Sequence, residues 1–196
     1  RMTTLASFPA AMGIAAVAPA FVEAFFTPEW QPMIPVMQLL AIYGLLRSMG
    51  ATMGPVWKAV GRPDYIAKLS AVRVTLIAIF IYPTTMMYGI EGTAAVITGI
   101  YIFPMMPIDT YLIARTVGTS PVRVLREVSY PLVASLGMAA AVTYVYQTVT
   151  LNAPVLEFIL LILVGIGVYV ALALALMFSF NWEVKQNLES IFDALA

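Results

Sequence analysis

The sequence predicts an all-α polytopic membrane protein of about six transmembrane helices. The composition comes first: the 196-residue chain is 62% hydrophobic and only 10% charged. Soluble domains carry roughly 25% charged residues, so twenty charges are too few to cover a soluble surface of this size. Next, the apolar residues gather into stretches of about 20 or more, the length that crosses a bilayer. Finally, the Lys and Arg residues that flank these stretches all fall on one side. Every stretch is expected to be a helix. An open sheet would strand backbone polar groups in lipid, and the alternation of a membrane β-barrel is missing.

The expected spans are 4–26, 32–57, 66–88, 92–114, 129–149 and 154–180. Short joints holding helix-ending residues separate them. Thr27-Pro28-Glu29 follows the first span, and Gly61-Arg62-Pro63-Asp64 lies between the second and third. Gly89-Ile90-Glu91-Gly92 is a tight turn after the third. Gly118-Thr119-Ser120-Pro121 opens a longer linker, and Leu151-Asn152-Ala153-Pro154 divides the last pair. Joints this short imply antiparallel neighbours.

One set of span ends carries Arg1, Lys58, Arg62, Lys68, Arg115, Arg123, Arg126 and Lys185. The opposite loops carry Glu29 and Glu91 and no Lys or Arg. The basic side is therefore expected to be cytoplasmic, with both termini on it and the chain in the cytoplasmic membrane. Trp30, Trp57 and Trp182 fall at span ends, where aromatic belts form. Within 120–128, Thr119 or Ser120 suits a cap and Pro121 a first helical position. This segment reads either as a short interfacial helix or as a basic loop. The tail 181–196 is amphipathic and too short for a domain. The start at Arg1, with a span almost at once, suggests a fragment or a trimmed chain.

Ionisable groups inside spans are costly and are default functional candidates. Arg47 lies 11 residues from Lys58, roughly 16 Å along a helix and too deep for easy snorkelling. Its face carries Gly44, Ser48, Ala51, Gly54 and Pro55. It reads as a contact for a crossing anionic group, or as half of a structural pair with a buried carboxylate. Arg73 and Asp109 lie 17 and 19 residues from Ile90, at matching depth on neighbouring spans. A salt bridge between them is expected, with a proton or substrate site as the alternative. Glu23 and Glu157, near span ends, are expected to reach water. Pro104 and Pro107 are expected to break the fourth span, and Pro83 the third. Gly50 with Gly54, and Ala171 with Ala175, read as helix-packing pairs.

With no Cys and no His, the chain lacks disulfides, thiolate or imidazole metal ligands and Ser-His or Cys-His nucleophile pairs. No enzyme activity, catalytic residue, metal or cofactor is expected. Ten basic residues balance ten acidic ones, which gives no field for nucleic acid.

Several helix-end patterns carry a family resemblance. Pro19-Ala20-Phe21-Val22-Glu23-Ala24-Phe25-Phe26-Thr27-Pro28-Glu29-Trp30, then Leu39-Leu40-Ala41-Ile42-Tyr43-Gly44-Leu45-Leu46-Arg47-Ser48, then Lys58-Ala59-Val60-Gly61-Arg62-Pro63-Asp64, and later Tyr130-Pro131-Leu132-Val133-Ala134-Ser135-Leu136-Gly137-Met138 resemble segments of the Wzx-type O-antigen and polysaccharide flippases. These belong to the multidrug/oligosaccharidyl-lipid/polysaccharide exporter superfamily. The resemblance covers about 19–140 and implies roughly one lobe, the C-terminal part, of a two-lobe exporter. It implies flipping of a lipid-linked oligosaccharide by alternating access, with the missing N-terminal lobe or a partner subunit, and membrane lipids, as partners. It also implies that cavity cations meet the lipid pyrophosphate. Arg47 and Arg73 are the positions for that role, and Asp109 completes the candidate substrate-binding set. A drug or cation antiporter of the same superfamily is a rival reading, though it calls for more intramembrane carboxylates than Asp109. A non-transporting assembly subunit is a third.

Overall fold

The computed structural model describes residues 2–51, 53–117, 121–149 and 153–179. Helices fill almost all of them, and no strand occurs among the described residues. Helix α1 runs Met2–Phe25 and passes through Pro9 and Pro19. A 3₁₀ turn, Pro28–Trp30, follows, with Thr27 extended before it. The proline sits where its missing N–H costs nothing. Helices α2 (Met33–Ala51) and α3 (Met53–Ala59) together make the second pass. It ends in a Schellman turn. Gly61, at φ 71°, donates its N–H to the Lys58 carbonyl at 3.1 Å, and Arg62 donates to Trp57 at 2.9 Å.

Helix α4, Asp64–Ile100, is two helical arms joined at Gly89, where the backbone leaves the helical region with φ 60° and ψ −142°. The Thr85 and Thr93 hydroxyl oxygens lie 2.6 Å apart. In a straight helix, residues eight apart are separated by about 12 Å. The arms 64–88 and 90–100 therefore form a hairpin, as the Gly89-Ile90-Glu91-Gly92 sequence predicts. A π-helical segment, Tyr101–Met105, then leads into α5, Met106–Val117.

Helix α6 spans Pro121–Thr148 without a break, so residues 121–128 are helical and continue directly into the pass expected at 129–149. The side chains of 121–128, Arg123 and Arg126 among them, lie outside the described residues, as do Trp182 and the whole tail 181–196. Helix α7, Pro154–Ser179, begins on a proline, and the Ala153 carbonyl accepts N–H bonds from Leu156 and Glu157.

Among the described residues, four segments are long and apolar enough to cross a membrane: Leu5–Phe25, Met33–Ala59, Asp64–Thr116 and Pro154–Leu176. The third, at 53 residues, is the folded-back hairpin. The chain is an all-α membrane protein.

Packing centres on α1, which touches α2, α6 and α7. One core joins Ala20 of α1 to Met138 and Val142 of α6 and Leu161 of α7. Another joins Phe8 and Ala11 of α1 to Leu45 of α2. Small buried residues let the backbones approach, which is how helices associate when lipid supplies no hydrophobic drive. A Cβ on Gly137 would sit 2.7 Å from Leu172, and one on Gly165 3.3 Å from Val142. Ala171 and Ala175 are exposed, so this small-residue pair does not pack against other described residues. Polar ties fix the register. Gln38 donates to the Ala15 carbonyl at 3.1 Å, Thr98 to Leu39 at 3.1 Å and Tyr169 to Leu5 at 2.8 Å. Glu23, exposed as expected, also accepts a hydrogen bond from Tyr146 at 2.9 Å.

The hairpin joins the rest mainly through α2, and this arrangement leaves a cavity between α2, α3, the first arm of α4 and the π segment with α5.

Candidate functional site

The cavity holds about 250 Å³. Arg47, Arg73 and Asp109 all line it, together with Gly54, Ser70 and Tyr101. The three residues singled out by intramembrane charge thus come together in one place, contributed by three successive passes.

Arg47 extends from α2 and donates from Nη1 to the Tyr43 hydroxyl at 3.4 Å, a long bond one helical turn back. The Tyr43 ring meets the Tyr101 ring edge-on, centroids 5.5 Å apart at 89°. Arg73 places its guanidinium carbon 5.4 Å from the centre of the same Tyr101 ring. That is cation–π distance, a favourable contact for a desolvated cation. The Arg73 Nε is buried with no hydrogen-bond partner. Two arginines are therefore linked through two tyrosines packed edge to face.

The expected Arg73–Asp109 salt bridge does not form. Among the described residues, the ion pairs within 4.0 Å are those of Asp64, with Arg62 at 3.7 Å and Lys68 at 3.0 Å. The hairpin register gives the reason. Thr85 lies opposite Thr93, so the position level with Arg73, twelve residues back, falls twelve residues on, near Met105. Met105 is apolar and 1% exposed. Tyr101 and Asp109 lie about one turn to either side of that level, and Tyr101 takes the guanidinium.

The break in the fourth pass is also more local than expected. Phe103, with φ −145° and ψ 119°, leaves the helical region just before Pro104. Pro107 instead sits in the first turn of α5, where its missing N–H disrupts nothing. Pro83 lies inside α4 with helical neighbours. A π segment commonly marks a functional site. Here it carries Tyr101 into the cavity.

Gly50 and Gly54 do not act as a helix-packing pair. A Cβ at Gly50 would collide with the Tyr101 hydroxyl, whereas Gly54 faces open space in the cavity. Trp57 is not a belt residue either. It is 2% exposed, stacked on Tyr65 with centroids 4.8 Å apart, and forms a wall of the cavity. Trp30, in contrast, is 51% exposed.

Tyr101 and Trp57 were not legible as site residues, since nothing in their local pattern distinguishes them from packing aromatics. Tyr43 carried a usable signal, because residues four apart share a helix face. Among the described residues, no group of acidic side chains gathers as a metal site would require.

No family model and no solved structure matches the chain. Curated proteins do. The chain is 30% identical to the teichuronic acid biosynthesis protein TuaB of Bacillus subtilis (strain 168) over 120 residues, 59% of this chain and 23% of that protein. It is 39% identical to the lipopolysaccharide biosynthesis protein WzxC of Escherichia coli (strain K12) over 70 residues, 36% of this chain and 14% of that protein. It is 27% identical to an uncharacterized membrane protein in the cps region of Klebsiella pneumoniae over 88 residues, 45% of this chain and 18% of that protein. The resemblance to Wzx-type polysaccharide flippases is borne out by these relatives. The matches span less than a quarter of each relative's length.

Proposed function

We propose that this chain takes part in flipping a lipid-linked oligosaccharide or polysaccharide precursor across the cytoplasmic membrane. It would do so by alternating access, as the C-terminal part of a larger exporter. The observation that carries this reading is the cavity that gathers Arg47 and Arg73 with a single carboxylate, Asp109. Its formal charge is positive, inside a chain whose relatives are named for polysaccharide biosynthesis. A guanidinium at membrane depth is expensive, about 2.5–3.5 kcal/mol on insertion scales. Holding two beside open space makes sense where an anion passes. Planar guanidinium groups grip phosphate oxygens in pairs, which suits the pyrophosphate of a lipid-linked sugar. The same balance disfavours a cation antiporter.

The test belongs in the full-length exporter, scored as surface polysaccharide against protein level in the membrane. Arg47→Ala and Arg73→Ala should each abolish export while the protein still inserts. Normal export by both well-expressed variants would refute the reading.

A further inference from the structure

We infer that Tyr101 is a positioning residue whose ring keeps Arg73 from collapsing onto Asp109, so that the guanidinium charge stays available inside the cavity. The inference rests on the proposed anion-handling role for its consequence, but its geometry stands alone. Arg73, on the first arm of α4, and Asp109, on α5, line one cavity. Opposite charges that share one partly enclosed cavity attract more strongly than they would in bulk water. Yet no ion pair within 4.0 Å joins them among the described residues. The guanidinium instead faces the Tyr101 ring at 5.4 Å, with its Nε lacking any hydrogen-bond partner.

Tyr101 can hold that position because it is itself held. It is 5% exposed, and its ring abuts Tyr43 edge-on. Its hydroxyl occupies the space that a side chain at position 50 would need. Gly50 is therefore the seat of the ring. Were the ring displaced, Arg73 would have a carboxylate about one turn away and no competing partner. The pair would neutralise itself, and the cavity would lose half of its cationic character.

Gly50→Ala displaces the ring without altering any charge, and Tyr101→Leu removes it. The first measurement is a double-mutant cycle, Arg73→Gln with Asp109→Asn, read as melting temperature of the full-length protein in detergent. With Gly50 and Tyr101 intact, the two sites should couple weakly. In the Gly50→Ala and Tyr101→Leu backgrounds the coupling should rise by a few degrees. Gly50→Ala combined with Tyr101→Phe should return it to the weak value, because the phenyl ring keeps the cation–π face and loses the colliding hydroxyl. A role confined to packing would not produce that rescue. Coupling that is unchanged in both backgrounds would overturn the inference.

The second measurement is calorimetric titration of inorganic pyrophosphate. Gly50→Ala should weaken binding roughly tenfold, the loss of one charge-assisted contact, and adding Asp109→Asn should restore it. Failure of that restoration would also overturn the inference. If the coupling behaves as described but the unaltered protein binds no pyrophosphate, Tyr101 still positions Arg73 and the proposed function is what fails.

Discussion

At Gly89 the backbone adopts φ 60° and ψ −142°, a region nearly closed to residues with a Cβ. Gly89→Ala should therefore lower stability by roughly 1–3 kcal/mol, the usual cost of such strain. Thermal unfolding in detergent would measure it, and an unchanged melting temperature would mean that the turn is not held as described. Gly92 is constrained differently. A Cβ there would collide with the Thr84 carbonyl and come within 2.9 Å of the Tyr88 Cβ, so the obstacle is fixed backbone. Gly92→Ala should cost about 1–3 kcal/mol through overpacking. In contrast, Gly54→Ala meets open space and should leave stability nearly unchanged. Measuring these last two together separates close approach from mere helix propensity. The turn itself was legible, because two glycines flanking Ile90-Glu91 signal a break. Which glycine carried the strain and which the close approach was not, since that depends on how the arms meet.

The element that departs most from expectation is the fourth pass. Its composition promised one span, 92–114, broken by two prolines. The break instead falls at Phe103-Pro104 inside the π segment, and Pro107 merely starts α5. A proline's local preference says only that a donor is missing; whether the helix bends depends on where the neighbouring turns end. The same limit applies to Arg73 and Asp109. Similar counts from Ile90, 17 and 19 residues, put them at nearly one depth. The Thr85–Thr93 contact sets the register differently, and Tyr101 lies between the expectation and the fact. If the π segment serves to bring Tyr101 to Arg73, then Pro104→Ala should shift the aromatic contacts while leaving α1, α6 and α7 intact. Proximity labelling between cysteines at positions 43 and 101 would report it. An unaltered crosslinking yield would show that the proline has no part in bringing position 101 close to position 43.

For the whole molecule, composition and one-sided charge were enough to predict an all-α membrane protein. The neighbourhood of Arg73 and Asp109 was anticipated from their depths, and the resemblance grouped Arg47 with them, but the charge pattern alone did not show that Arg47 shares their cavity. The Lys and Arg distribution predicts the orientation. Cysteines placed at Glu29, Glu91 and Asn152 should react with an impermeant thiol reagent added to intact cells. Reaction at Gly61 or Gly118 instead would invert the topology. The proposed role of the cationic cavity inside this bundle is to handle the anionic part of a lipid-linked sugar. Its most direct test is translocation of a labelled lipid-linked oligosaccharide in proteoliposomes containing the full-length protein with Arg47 intact, as Lys or as Ala. Arg47→Lys keeps the charge but loses the planar fork, so it should retain partial activity, and Arg47→Ala should retain none. Equal translocation by all three would contradict the account.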